Sequence, residues 1–282
     1  FVENEAECSN PSLLYTAIPD QNFEQALIDT GIANPTINGK VLTANIEVVT
    51  GFFIENKNIT DLTGIEDFTA LTFLDCSENQ LTSLDFSNNT ALTSFDCANN
   101  QLTSIDLSQN AVLTDFSCGN NQLTSIDLSQ NPALIQLNCA NNQLSSIDVS
   151  ANNALTNLYC QNNQLSSLDV SNNPALFDLR CIDNQLTSID VSANPALYIL
   201  ICDSNQLTSL DVSDNNALAA LYCYNNQLTS LDVSANPALI ELSCDNNQLT
   251  SLDVRNGNNT DFWFFNATTN PNLTCIFVDD VS

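Results

Sequence analysis

The sequence predicts an α/β-type solenoid that is mostly β: a right-handed stack with one parallel sheet, a small N-terminal helical cap and a C-terminal cap. Three observations carry this. Nine cysteines, from Cys76 and Cys97 to Cys244, recur at a spacing of 21 residues. Each opens the same phrase, C-x-x-N-Q-L-[TS]-S-[LI]-D. Around Leu74 and Cys76, and around their equivalents, apolar and polar residues alternate with the period of 2 that marks a strand. So strict a repeat means one supersecondary unit copied along an axis, each copy packing on its neighbours.

Residues 1–48 lack the repeat and form the N-terminal cap. Asp20 is placed to N-cap a helix whose inner side carries Phe23, Ala26, Leu27 and Ile28, with Gly31 as its stop. Such a helix covers the sheet edge that a stack leaves bare. The solenoid occupies 49–257, one 22-residue coil followed by nine 21-residue coils that start at Leu71 and end with the one starting at Leu239. In the 22-residue coil Phe52, Ile54, Ile59, Leu62, Ile65 and Phe68 point inward, and the stretch from Ile59 to Phe68 suggests a short helical turn. In the next coil the inward set is Leu71, Leu74, Cys76, Leu81, Leu84, Phe86 and Ala91. The alternation at Leu84 and Phe86 predicts extended backbone opposite the strand too, because 21 residues leave no length for a helix there. The ninth coil breaks the pattern, with Arg255 and Gly257 in place of the usual Ser and Asn. Residues 258–282, containing Phe262, Trp263, Phe264, Phe265 and Cys275, are the expected C-terminal cap.

The phrase L-x-x-L-x-C-x-x-N-x-L, as in Leu71-Thr-Phe-Leu-Asp-Cys-Ser-Glu-Asn-Gln-Leu, is the leucine-rich-repeat signature with Cys in its third apolar slot. These copies resemble the cysteine-ladder repeats of the internalin J-like surface adhesins of Gram-positive bacteria. The segment Ile18-Pro-Asp-Gln-Asn-Phe-Glu-Gln-Ala-Leu resembles the entry cap of secreted flavobacterial leucine-rich-repeat proteins, whose repeats are commonly followed by a type IX secretion sorting domain. The resemblance spans about residues 18–280. It implies the leucine-rich-repeat fold, a secreted or surface-attached setting, and a role in adhesion or protein binding.

Charge narrows the partners. With 33 acidic and 4 basic residues the net charge is −29, and only Arg180 and Arg255 are cations within the repeats. Phosphate binding needs clustered Lys and Arg, so nucleic acid and anionic membranes are excluded as partners. No apolar run approaches the roughly 18–20 residues of a membrane helix. The chain starts at Phe1 without a signal-like segment, which fits a mature or trimmed secreted protein, expected to be monomeric. Lacking His altogether, it cannot assemble a Ser-His or Cys-His nucleophile, and its repeated carboxylates have no pocket to separate their pKa values, so the expected class is non-enzymatic.

The ladders read first as structure. Neighbouring cysteines in such a stack stand about 4.8 Å apart with parallel side chains, wider than the roughly 3.8 Å Cβ spacing of a disulfide. Thiols in file cannot converge tetrahedrally on zinc, so the column is packing. Cys8 and Cys275 lie near opposite ends and are not expected to pair. The asparagine column from Asn79 and Asn100 to Asn247 is expected to satisfy buried backbone groups. The Asp85-to-Asp253 column is less comfortable, since stacked carboxylates repel by roughly 1 kcal/mol per pair even in water. Hydrogen bonds from Ser two residues later are the plain account. Calcium bridging Asp127, Asp148 and Asp169 is the sharper one, and no other cofactor is expected.

The strand face varies between copies. Its first four 21-residue coils carry small polar residues there, apart from an apolar spot of Phe53 and Phe73 near the cap. Then come Tyr159; Asp178, Arg180 and Ile182; Ile199, Ile201 and Asp203; and Tyr222 with Tyr224. Tyr, Arg and bulky apolar groups carry binding energy at interfaces. These nine residues are therefore the expected ligand site, with the isoleucines exposed. A protein ligand leads, as for an adhesin or interaction scaffold. A glycan is the alternative, because Tyr rings stack on sugars. The hydroxyl-rich columns of Gln80, Thr82 and Ser83 leave ordered-water or ice binding as a minor reading.

Overall fold

A computed structural model describes residues 14–279; Cys8 lies outside them. The N-terminal part forms as its sequence requires. Strand β1 (Tyr15–Ala17) pairs antiparallel with β2 (Lys40–Leu42), and helix α1 (Gln21–Asp29) lies between them in sequence. The Asp20 carboxylate accepts from the Asn22 and Phe23 amides at 2.8 and 3.0 Å, satisfying two of the free donors of the first turn. Past the helix end Gly31 takes φ +76°, and the Ile32 amide bonds back to Leu27 O, a Schellman closure that glycine makes without a Cβ penalty. The buried side of α1 is Phe23, Glu24, Ala26 and Leu27, whereas Ile28 is only half-buried. Glu24 is buried because it accepts from the Asn38 and Gly39 amides. The short helix α2 (Thr43–Ile46) follows, and Phe23 of α1 packs onto Phe52 and Phe68 of the first coil.

Beyond the cap the chain winds into a stack. Its strands are β3 (Gly51–Phe53), β4 (Phe73–Asp75), β5 (Ser94–Asp96), β6 (Asp115–Ser117), β7 (Gln136–Asn138), β8 (Asn157–Tyr159), β9 (Asp178–Arg180), β10 (Ile199–Ile201), β11 (Ala220–Tyr222), β13 (Glu241–Ser243) and β15 (Phe264–Asn266). Among the described residues these eleven make one parallel sheet in sequence order, with equivalent residues facing each other. A second, three-stranded parallel sheet of β12 (Ser230–Asp232), β14 (Ser251–Asp253) and β16 (Cys275–Phe277) lies in the later coils, where the Leu84-type alternation predicts extended backbone. In the earlier coils that stretch is irregular, and Leu84 and Ala91 are half-buried where full burial was expected. A single turn of 3-10 helix at Ile65–Asp67 answers the predicted helical turn.

The nine ladder cysteines are free and buried. Cys76 Sγ donates weakly to Asp96 O at 3.4 Å in the next coil. Burial pushes the thiols of Cys139 and Cys181 up to about 12, which makes them inert apolar fillers.

The expected asparagine column does its predicted work. Asn142 Oδ1 accepts from the Leu123 amide at 2.9 Å, and its Nδ2 donates to the carbonyls of Cys118, Cys139 and Ala140. The residue before each of these asparagines is left-handed, from Glu78 (φ 55°) to Asn246 (φ 50°). Asn tolerates that region better than other non-glycine residues, which explains the recurring Asn-Asn pair.

A second asparagine column, Asn89 to Asn236, was not anticipated. Its members are 0% exposed, and each Nδ2 donates to a carbonyl of the preceding coil, as Asn152 does to Asn131 O at 2.7 Å. At the ninth coil Asn256, not Gly257, takes this place, donating to Asn236 O at 3.1 Å. At the last coil the core positions open: Phe265, beside buried Leu242, is 42% exposed, and Ile276, beside buried Leu252, is 43% exposed. No helix of the described residues is long and apolar enough to cross a membrane.

Candidate functional site

Because strand residues alternate, the side chains flanking each inward Leu stand in straight rows on the outer face of the large sheet. One row runs Tyr159, Arg180, Ile201, Tyr222, Ser243. The row beside it runs Asn157, Asp178, Ile199, Ala220, Glu241, Phe264. A third, just past the cysteines, holds Gln161, Ile182, Asp203 and Tyr224. All nine predicted site residues fall on these rows.

They form two linked groups. Asp178 is 4% exposed and clamped by Arg180, whose Nε and Nη2 donate to its two oxygens at 3.0 and 2.9 Å. The Tyr159 hydroxyl donates to Asp178 Oδ2 at 3.2 Å and accepts from Asn157 Nδ2, and the guanidinium stands 5.0 Å from the Tyr159 ring centroid. Hydrogen bonding to Asp178 raises the Arg180 pKa against desolvation. Further along, the Tyr222 hydroxyl donates to Glu241 and its ring stacks towards Phe264 at 6.0 Å. Burial, with Glu241 alongside, pushes the Tyr222 hydroxyl up to about 12. Between the groups Ile182, Ile199 and Ile201 are half-buried, where the sequence predicts exposed anchors. Ile201 lies in its row between Arg180 and Tyr222. Asp203 is also buried, at 1% exposure, and burial raises its pKa.

Towards the N-terminus the same face forms a hollow of about 300 Å³, lined among others by Phe73, Asp75, Asp96, Asp115 and Tyr159. Burial raises the Asp96 pKa and Asp75 adds to the effect, against a hydrogen bond from the Ala98 amide. The Phe53 and Phe73 rings meet at 4.6 Å with a tilt of 32°, and Phe53 stays 64% exposed, so the described part of the cap does not cover this spot. Sequence reading also missed a flank pair, Phe177 and Tyr198, whose rings stack at 5.0 Å and 3°. The signal was present: both stand where the earlier coils carry Thr72, Thr93, Thr114 and Thr156.

Asp127, Asp148 and Asp169 stand in file on an exposed edge. Hydrogen bonds from Ser129, Ser150 and Ser171 hold their carboxyls below the usual range. Among the described residues no three His, Cys, Asp or Glu side chains are grouped to hold a metal ion.

Residues 69–110 match the family model described as Leucine Rich repeats (2 copies). No curated protein sequence matches the chain. A solved structure of the functional domain of InlJ from Listeria monocytogenes, which includes a cysteine ladder, is 35% identical with a TM-score of 0.84. That alignment covers 92% of this chain and 63% of the Listeria one, so the chain spans less than two thirds of its relative. An internalin (inlF) of the same organism is 19% identical, TM-score 0.56, over 94% of this chain and 96% of that one. The plant peptide hormone receptor RGFR1 in complex with RGF2 is 21% identical, TM-score 0.61, over 82% of this chain and 50% of that one. These last two likenesses show the fold alone. With nine buried cysteines at 21-residue spacing and the repeat stack around them, the chain has the leucine-rich-repeat fold in a cysteine-ladder form similar to that of the Listeria domain.

Proposed function

We propose that the chain is a non-enzymatic, extracellular adhesin-type module that binds a protein on the rows from Tyr159 to Phe264. One observation carries the reading. Elsewhere the coils repeat almost the same residues, but here, past Phe73, the strand rows turn from Asp, Ser, Asn, Gln, Ala and Gly to rows enriched in Tyr, Arg, Ile and Phe, several of them held in place by mutual hydrogen bonds and stacking. Side chains fixed before binding lose little entropy on it, and Tyr and Arg are the usual anchors of interfaces. Leucine-rich repeats generally serve as binding scaffolds, and the RGFR1 structure is itself a complex. The free protein is a monomer in this reading, needs no cofactor, and is secreted or held at a cell surface.

The test places a photo-crosslinking amino acid at Asn157, at Ile201 and, as control, at Thr208 on another side of the coil, with the protein presented to intact cells. One protein crosslinked from 157 and 201 but not from 208 supports the reading. Equal crosslinking from 208, or none from 157 and 201, refutes it. A glycan partner is the second reading, favoured by the exposed Phe177–Tyr198 stack. Binding on a glycan array, lost in Tyr198→Ala, would select it.

A further inference from the structure

Buried hydrogen-bonding atoms without partners are costly, and in a repeat they should recur with the repeat. Eight of the eleven such side-chain atoms among the described residues do, being the Oδ1 atoms of the inner asparagine column. The other three are Gln161 Oε1 and both oxygens of Asp203. They share the row just past the cysteines, two coils apart, with Ile182 between them. The equivalent residues of the earlier coils are Ser77, Ala98, Gly119 and Ala140, so the fold itself requires no acceptor at this position. The Tyr224 and Ser204 hydroxyls and the residue's own amide stand near enough to Asp203 to oppose the rise in its pKa, but none of them reaches hydrogen-bond geometry with its oxygens.

The chain has no cation to spare for this carboxylate. Arg180 is bound to Asp178 and Arg255 to Asp253, Lys40 lies over the Tyr15 ring, and Lys57 belongs to the first coil. Asp203 thus sits at the foot of a surface of large side chains, buried, unpartnered and next to another carboxylate, Asp183.

We propose that the Gln161–Ile182–Asp203 row anchors a Lys or Arg side chain of the protein partner. The cationic head donates to the Asp203 oxygens once the half-buried Tyr224 swings aside. Its methylene stem lies on Ile182, and a main-chain N–H of the same partner segment reaches Gln161 Oε1 about 10 Å away, two coil steps along the stack. A charge-assisted bond in this partly desolvated setting is stronger than one at an open surface. The inference rests on the strand-face reading and specifies the chemistry of the partner there.

The test uses pools of twelve-residue peptides with a central Arg, citrulline, Lys or norleucine, measured by fluorescence anisotropy at a salt concentration that screens long-range attraction. The wild type is expected to prefer Arg over citrulline and Lys over norleucine, and D203N to weaken the cationic pools about 30-fold or more, as loss of a buried charge partner does. D127N, which removes an exposed charge elsewhere, should leave the preference intact. Q161L should weaken all pools alike, which gives a second readout at the other end of the row. No binding by any pool, no preference for a cation, or an equal loss in D127N and D203N overturns the proposal. Pools that bind regardless of charge and still compete with a partner crosslinked at Ile201 overturn the basic anchor alone and leave the strand-face reading standing.

Discussion

Asn142 and Asn152 lie in the same coil, one in each asparagine column, and their replacement by Ala separates two kinds of buried amide. Asn152 is 0% exposed and Asn142 is 9% exposed, so burial alone would make Asn152→Ala the worse change. Their bonds argue the reverse. Asn142 Oδ1 is the acceptor for the buried Leu123 amide, and its Nδ2 serves three carbonyls. Those carbonyls keep other donors, since Asn121 also reaches Cys118 O, Asn163 reaches Cys139 O and the Asn120 amide reaches Ala140 O. The Leu123 N–H does not. One orphaned donor at about 1–3 kcal/mol and three weakened bonds at a few tenths each give a loss of about 3 kcal/mol for Asn142→Ala. Asn152 donates to Leu128 O and Asn131 O, which keep the amides of Asn131 and Leu134, and its own Oδ1 has no partner. Removing it orphans nothing and deletes an unsatisfied atom, so the loss is about 1 kcal/mol, chiefly packing. The assay is urea unfolding followed by circular dichroism, with hydrogen exchange at the Leu123 amide. A loss for Asn152→Ala equal to or above that for Asn142→Ala, or a Leu123 amide still protected in Asn142→Ala, would refute the reasoning.

Iodoacetamide followed by peptide mapping should modify exposed Cys275 in the native protein and none of the nine ladder cysteines until urea is added. Two aspartates should show opposite pH behaviour. The raised pKa of Asp203 means that the folded state holds its proton more tightly than the unfolded one. Its contribution is therefore favourable below the unfolded value near 3.8 and is lost as pH rises through the folded value, so Asp203→Asn should raise the melting temperature at pH 7 and lose that gain towards pH 4. Asp127 is depressed, so its contribution exists above 3.8 and is lost as pH falls through its folded pKa; Asp127→Asn should lower stability at pH 7 and be neutral in acid. Glu78 sits at φ 55° where most coils place Asn, and Glu78→Asn should stabilise by about 0.5–1 kcal/mol in the same urea assay.

The stack is legible in the sequence because its evidence is a repeat. Cys76 and its copies fix the register, and register fixes which side chains point out, so the spacing alone puts Tyr159, Arg180, Ile201 and Tyr222 in one row. What escaped depends on distances between rows. Phe177 and Tyr198 stack because two unrelated substitutions fall in adjacent coils, and a column otherwise made of Thr, Ile and Ala gives no reason to pair them. Asn89 reads as an ordinary turn asparagine, and only its complete burial shows that it belongs to a ladder. The isoleucines were expected to be exposed because alternation gives the direction of a side chain and not the height of its neighbours. Tyr222 and Arg180 flank Ile201, and their bulk buries half of it.

That crowding bears on how such a surface acquires a ligand. Each coil is held by the same cysteine, leucine and asparagine contacts, so a change on a strand row costs the stack little, as expected where stability is a sum of neighbour terms. Large residues can then collect on the face one at a time. Collected, they begin to satisfy each other, as Asp178, Arg180 and Tyr159 do. A group that the ladders do not need, and whose oxygens no described neighbour hydrogen-bonds, is not explained by packing among the described residues. Asp203 is such a group, one coil from an Arg180 already committed to Asp178. Self-contained packing would favour Asn or Ser there, so its carboxylate points to a donor from outside.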